Sequence, residues 1–74
     1  MVYLQKGDVD QAINAFQRGL GVVPNYDVLH FNLGTAFAQQ GKADEAKAEF
    51  KRTLQLNPKY PGAAESLARL RQQR

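Results

Sequence analysis

Side chains able to carry covalent or acid–base chemistry are few in this chain. His30 is its one histidine, Ser66 its one serine, and cysteine is absent. An activated nucleophile needs a base within hydrogen-bond reach and a third group to orient that base. No such triad can be assembled from these residues. A lone imidazole makes no metal site without further ligands, and no cysteine means no thiolate ligand and no disulfide. Asp44 and Glu45 are adjacent, so on a helix their side chains diverge by about 100°. They read as acids at a helix N-terminus, where they complement the macrodipole. The stretch GDVDQ, from Gly7 to Gln11, sets two acids beside a glycine but lacks the remaining ligands of a calcium loop. There is no glycine-rich phosphate loop. The expectation is a chain that is not an enzyme and holds no metal or cofactor.

Charge excludes further classes. The formal net charge is +3, and most of the excess sits in residues 61–74, which carry three positive side chains and one negative. A nucleic-acid site needs a basic stripe with stacking aromatics nearby. The tail has no aromatic, and residues 27–40 have no basic residue but His30. No nucleic-acid partner is expected, and the basic tail reads as a solvated helix end. No apolar run approaches the roughly 20 residues of a membrane-spanning helix, so no membrane partner is expected either. The opening MVYLQKGDVD lacks the basic and apolar regions of a secretory signal, which makes the cytoplasm the expected location.

The elements that must position any site are helices. Phe31, Gly34, Phe37 and Ala38 follow helical spacing, with Leu33 and Ala36 beside them. A helix is predicted from Asp27 to Gln40, ended by Gly41 in a left-handed cap. Ala43, Ala46, Phe50, Thr53 and Leu54 form a second apolar stripe that ends near Leu56, ahead of Asn57-Pro58. Residues 7–22 repeat that stripe through Val9, Ala12, Ile13, Phe16 and Leu20, with Asp8 and Gln11 spaced as a capping box. A last helix is predicted to open at Pro61. Its face is Ala63, Ala64, Leu67 and Leu70, and Glu65 and Arg69 are spaced as an i, i+4 ion pair. With a stub ahead of Gly7, the order is a helical stub, three full helices and a terminal helix. At 74 residues the chain is near the size where one core is only marginally sufficient. Its short connections force consecutive helices antiparallel.

Two segments overlay. GDVDQAINAFQRGLGVVPNY and GKADEAKAEFKRTLQLNPKY share Gly, Asp, Ala, Phe, Arg, Leu, Pro and Tyr, each displaced by 34 residues. The stretch NLGTAFAQQGKADEAKAEFKRTLQLNP resembles the tetratricopeptide repeat family almost throughout, a family whose helix–turn–helix unit has about that period. Leu33, Gly34, Phe37, Ala46, Phe50 and Pro58 occupy signature positions. Thr53 stands where a small residue is usual, and His30 where tryptophan often stands. The resemblance implies an all-α fold of antiparallel helical hairpins stacked as a short right-handed α-solenoid. It divides the chain into the C-terminal part of a first repeat (1–26), a complete repeat (27–60) and a terminal capping helix (61–74).

Each signature residue then has an expected duty. Gly34 and Ala46 are small because two helices cross there. Phe37 and Phe50 fill the wider spaces, and Pro58 turns the chain toward the next unit. Ala12, Phe16 and Pro24 repeat these duties, Tyr3 takes that of Phe37, and Gly7 like Gly41 ends a helix. Gly19 and Gly21 depart from the pattern, each costing about 1 kcal/mol relative to alanine within a helix. Gly19 has a packing reason, because Thr53 is also small; Gly21 has none. Arg71 replaces an expected aromatic, which suits a polar cap. His30 is expected to pack between helices, with pH sensing or ligand contact as the alternative.

The function implied by the resemblance is a non-catalytic protein–protein interaction scaffold. Its partner peptide would lie in the concave groove lined by the first helix of each repeat. Carried over position by position, the groove residues are Val28, Phe31, Asn32, Thr35, Ala38 and Gln39, with Leu4 and Gln5 before them and Glu65 and Arg69 after. Asn32 is the asparagine able to hold a peptide backbone. Phe31 is expected to point into the groove as an apolar anchor, the alternative being packing under the neighbouring repeat. The carboxylate clamp of some family members is missing, since Gly62 and Ser66 occupy its third-unit positions. An apolar or mixed peptide is therefore expected, and Phe31→Ala should weaken its binding while leaving helicity intact. The alternative function is self-association. The first unit lacks its first eight positions, so either residues 1–74 are a piece of a longer array or another copy covers its apolar face, in a homodimer or a head-to-tail assembly.

Overall fold

The structure, a computed structural model, describes residues 6–72. Four helices account for most of them: α1 Lys6–Val22, α2 Asp27–Gln39, α3 Ala43–Leu56 and α4 Ala63–Gln72. No strand occurs among the described residues. The expected stub and the duty given to Tyr3 lie outside them.

Each helix packs on its chain neighbours, α2 against α3 most extensively. The α2–α3 crossing is closed by small residues. Ala46 is fully buried and Phe50 is 2% exposed. A Cβ placed on Gly34 would stand 2.8 Å from one carbon of the Phe50 ring and 3.2 Å from Glu49 Cβ. Glycine is therefore required sterically, because the Phe50 ring and the Glu49 Cβ crowd that position together. Ala46, Phe50, Leu67 and Leu70 form the central apolar cluster, with Phe31, Phe37, Ala38, Ala43 and Leu54 half-buried against it. Thr53 is fully buried, and its hydroxyl donates to the Glu49 carbonyl at 3.0 Å. That bond is how a hydroxyl is tolerated at an interior position where alanine is usual.

Turn chemistry sets the helix ends. Gly41 has φ +78°; its N–H donates to Ala38 O, and Lys42 N–H donates to Phe37 O at 2.9 Å. Those two bonds make a Schellman motif, as the left-handed cap requires. Helix α3 ends at Leu56 ahead of Asn57-Pro58, and Asp44 and Glu45 lie in its first turn.

Three expectations need correction. Helix α4 begins at Ala63, not Pro61, because Gly62 has φ +85° and cannot continue a helix. The Gly62 carbonyl accepts from Ser66 N–H at 2.9 Å, so Gly62 is the boundary residue. Ala64 is exposed, and the buried face of α4 is Ala63, Leu67 and Leu70. In the first unit Gly7 and Asp8 are helical residues of α1, so Gly7 ends no helix and Asp8 is not a cap.

The glycines of α1 differ from each other as expected. A Cβ on Gly19 would meet Leu29 Cδ1 at 2.7 Å, whereas one on Gly21 meets nothing within 4 Å. Gly21→Ala should therefore stabilise the fold by about 0.5–1 kcal/mol. Gly34→Ala should destabilise it by about 1–3 kcal/mol through overpacking. Thermal or urea denaturation of the two variants checks both signs.

Candidate functional site

An open groove of about 260 Å³ runs between α2 and α4, which alternate antiparallel pairing turns in the same direction. Its α2 wall is Thr35, Ala38 and Gln39, its α4 wall is Ser66, Arg69 and Leu70, and Phe50 of α3 lies beneath. The floor is firm: Phe50 and Leu70 are buried members of the central cluster. The rim is polar, with Thr35, Gln39 and Arg69 exposed. Thr35 Oγ1 donates to Phe31 O at 3.1 Å, which leaves its lone pairs toward solvent. The volume falls below the range of roughly 300–1,000 Å³ usual for small-molecule sites. It suits one or two side chains of a longer occupant.

Of the residues expected to bind a partner, Thr35, Ala38, Gln39 and Arg69 come together in this groove. Leu4 and Gln5 lie outside the described residues. Val28 and Asn32 are half-buried on α2 and do not line it. Glu65 is exposed, and its Oε2 comes to 4.0 Å from where a Gly62 Cβ would stand, at the start of α4. The expected Glu65–Arg69 ion pair is not formed: His30–Glu49 is the one carboxylate pair within 4.0 Å among the described residues.

Phe31 takes an orientation other than the anchor expected of it. Its ring centroid lies 5.4 Å from that of Phe50 and 4.9 Å from that of Tyr60, both tilted. Its Cζ reaches to 3.9 Å of a Cβ position on Gly62. Phe31 is thus half-buried in an aromatic layer under the α3–α4 turn, the packing alternative. The cause is tertiary: the left-handed Gly62 brings that turn over the ring, and aromatic pairs at such distances are favourable.

Phe50, Ser66 and Leu70 are the groove residues that sequence reasoning left out. Phe50 and Leu70 were given to the core, where they also belong. Neighbouring helices running the same way approach with opposite sides, so one set of repeat positions cannot describe both walls. The available signal was the 34-residue register of Ser66 with Asn32, a position already counted as groove-lining.

A second polar cluster joins the α1–α2 turn to α3. His30 Nδ1 lies 2.8 Å from Glu49 Oε1, with side chains 13% and 23% exposed, and Nε2 lies 2.9 Å from the Pro24 carbonyl oxygen. The ring thus bridges a side chain of α3 and the backbone of the α1–α2 turn. Arg52 Nη2 donates to Asn25 Oδ1 at 2.8 Å, and Asn57 Nδ2 donates to Asp27 Oδ2 at 3.2 Å. His30 therefore packs between helices as a tie. No group of three or more His, Cys, Asp or Glu able to hold a metal occurs among the described residues, and none of their helices is long and apolar enough to cross a membrane.

Stacked antiparallel helices crossing at Gly34 and Ala46, with a groove between alternate helices, define a helical-repeat interaction module. A model of the tetratricopeptide repeat family matches residues 3–70, and the chain belongs to that family. Over 68 residues, 92% of this chain, it is 32% identical to a peroxisomal targeting signal receptor of Saccharomyces cerevisiae. A receptor of the same name from Candida glabrata is 31% identical over 92% of the chain. A tetratricopeptide repeat and J domain-containing co-chaperone of Fusarium oxysporum f. sp. lycopersici is 29% identical over 93%. The chain spans only 11%, 12% and 13% of the length of these relatives.

Two outcomes follow from this geometry. Phe31→Ala should lower stability by about 3 kcal/mol, as loss of a packed aromatic does, rather than leaving the fold untouched; chemical denaturation measures it. A double-mutant cycle on His30→Ala and Glu49→Ala should give a coupling of about 1 kcal/mol. Strict additivity would mean the two side chains merely stand near each other.

Proposed function

We propose that this chain is a non-catalytic scaffold that binds a partner peptide in the groove between α2 and α4. In this reading residues 27–60 are a complete repeat, residues 1–26 the C-terminal part of one before it, and residues 61–74 the terminal capping segment that contains α4. Membership of the tetratricopeptide repeat family makes protein–protein interaction the general role. The observation that carries the finer reading is the groove itself, an apolar floor of Phe50 and Leu70 between walls that offer Thr35, Gln39, Ser66 and Arg69. An apolar floor rewards burial of one side chain, and hydrogen-bonding walls fix the direction of the chain that carries it. The two yeast relatives are named as receptors of a targeting signal, which accords with recognition of a short segment.

Self-association is the second reading, and one comparison within the chain favours it. Ala12 and Phe16 are half-buried, whereas their counterparts 34 residues on, Ala46 and Phe50, are 0% and 2% exposed. Val22, Val23 and Tyr26 add exposed apolar surface at the end of α1. Another copy covering α1 would bury both sets.

Thr35→Trp fills the groove from an exposed position and should abolish peptide binding with the far-ultraviolet circular dichroism unchanged. Full binding by that variant removes the groove reading. Light scattering across a concentration series separates the second reading, because a monomer mass at every concentration eliminates it.

A further inference from the structure

We propose that the groove takes an extended internal segment of an acidic peptide, with a side-chain carboxylate on Arg69 beside an apolar residue seated over Phe50 and Leu70. The proposal rests on the groove being the peptide site.

Three observations carry it. Arg69 is the one cation lining the groove among the described residues, and no carboxylate of those residues lies within 4.0 Å of it. The acid spaced to neutralise it, Glu65, is instead drawn to the start of α4, where its Oε2 stands 4.0 Å from a Cβ position on Gly62. A carboxylate there faces the positive end of the helix. The guanidinium thus remains at the groove edge with its donors unused by an acid, and its planar fork matches a carboxylate better than a lysine would.

The walls argue for an extended occupant. A helical peptide satisfies its own backbone N–H and C=O groups and needs only an apolar groove. An extended one leaves alternate groups that require partners. Gln39 on one wall and Ser66 on the other supply both donors and acceptors across the floor. One guanidinium also suits a side-chain carboxylate better than a chain terminus, since among the described residues the groove offers no second cation to hold a terminal group.

The test uses the full chain and two arrays of random synthetic peptides, one acetylated and amidated at its ends, the other with free C-terminal carboxylates. The blocked array should select an acidic residue beside a large apolar one. For the best blocked peptide, fluorescence anisotropy should show about tenfold weaker binding on Glu→Gln in the peptide. Arg69→Gln should weaken binding equally, and the two changes together should do no more. Arg69→Lys should recover part of the loss, and added salt should weaken the wild-type complex most. Arg69 is exposed, so its variants should keep wild-type circular dichroism. Equal affinity for the Glu and Gln peptides, or binding on the free-carboxylate array alone, overturns the proposal while the groove reading stands. Binding that survives Thr35→Trp, or no binding on either array, overturns both.

Discussion

The crossing of α2 over α3 is the constraint on which everything else hangs. At Gly34 there is no space for even a methyl group, because the Phe50 ring and the Glu49 Cβ already occupy it. That approach draws Ala46 and Phe50 fully inside and gives Leu67 and Leu70 of the next helix a surface to pack on. Phe50 then has two neighbourhoods. One edge of its ring closes the crossing, and another forms the floor of the groove. Scaffold and candidate site share a side chain, so the groove inherits the rigidity of the most buried part of the molecule. A site built on packed helices holds its shape better than one built on loops.

Polar contacts decide how the outer helices hang on that crossing. His30, Asn25 and Asp27 near the start of α2 meet Glu49, Arg52 and Asn57 along α3 and just beyond it. Each bond is modest by itself, and their geometry is what matters. Together they hold the α1–α2 turn against the second helix of the pair. At the other end, Gly62 lets the chain reverse over Phe31, and Tyr60 completes an aromatic layer there.

Most of the scaffold was legible because it is repeated. Gly34, Ala46, Phe50 and Pro58 each have a steric duty that tolerates few residue types, and such duties leave a periodic trace. The first Gly of the overlay shows the limit of that trace. Gly41 is left-handed because the carbonyls of Phe37 and Ala38 lie ready to accept its cap bonds, while Gly7 has the same sequence register and a helical backbone. The start of α4 was misplaced at Pro61 because proline suits a first helical turn, yet the neighbouring Gly62 took the positive φ that sets the boundary. Half of the groove was legible too: Thr35, Ala38, Gln39 and Arg69 converge as their positions implied, whereas Phe31 turned inward.

From the sequence alone came the all-α class, the 34-residue period and the family. These depend on local periodicity, on steric demands at single positions and on which side chains exist at all. Only the tertiary structure decided which side of each helix faces a neighbour, and so that Phe31 lies under a turn while Phe50 and Leu70 floor the groove. The physical reason is that a half-turn of difference on a helix separates core from solvent. The choice between them is made by a backbone many residues away, as Gly62 does for Phe31, and no local pattern records it.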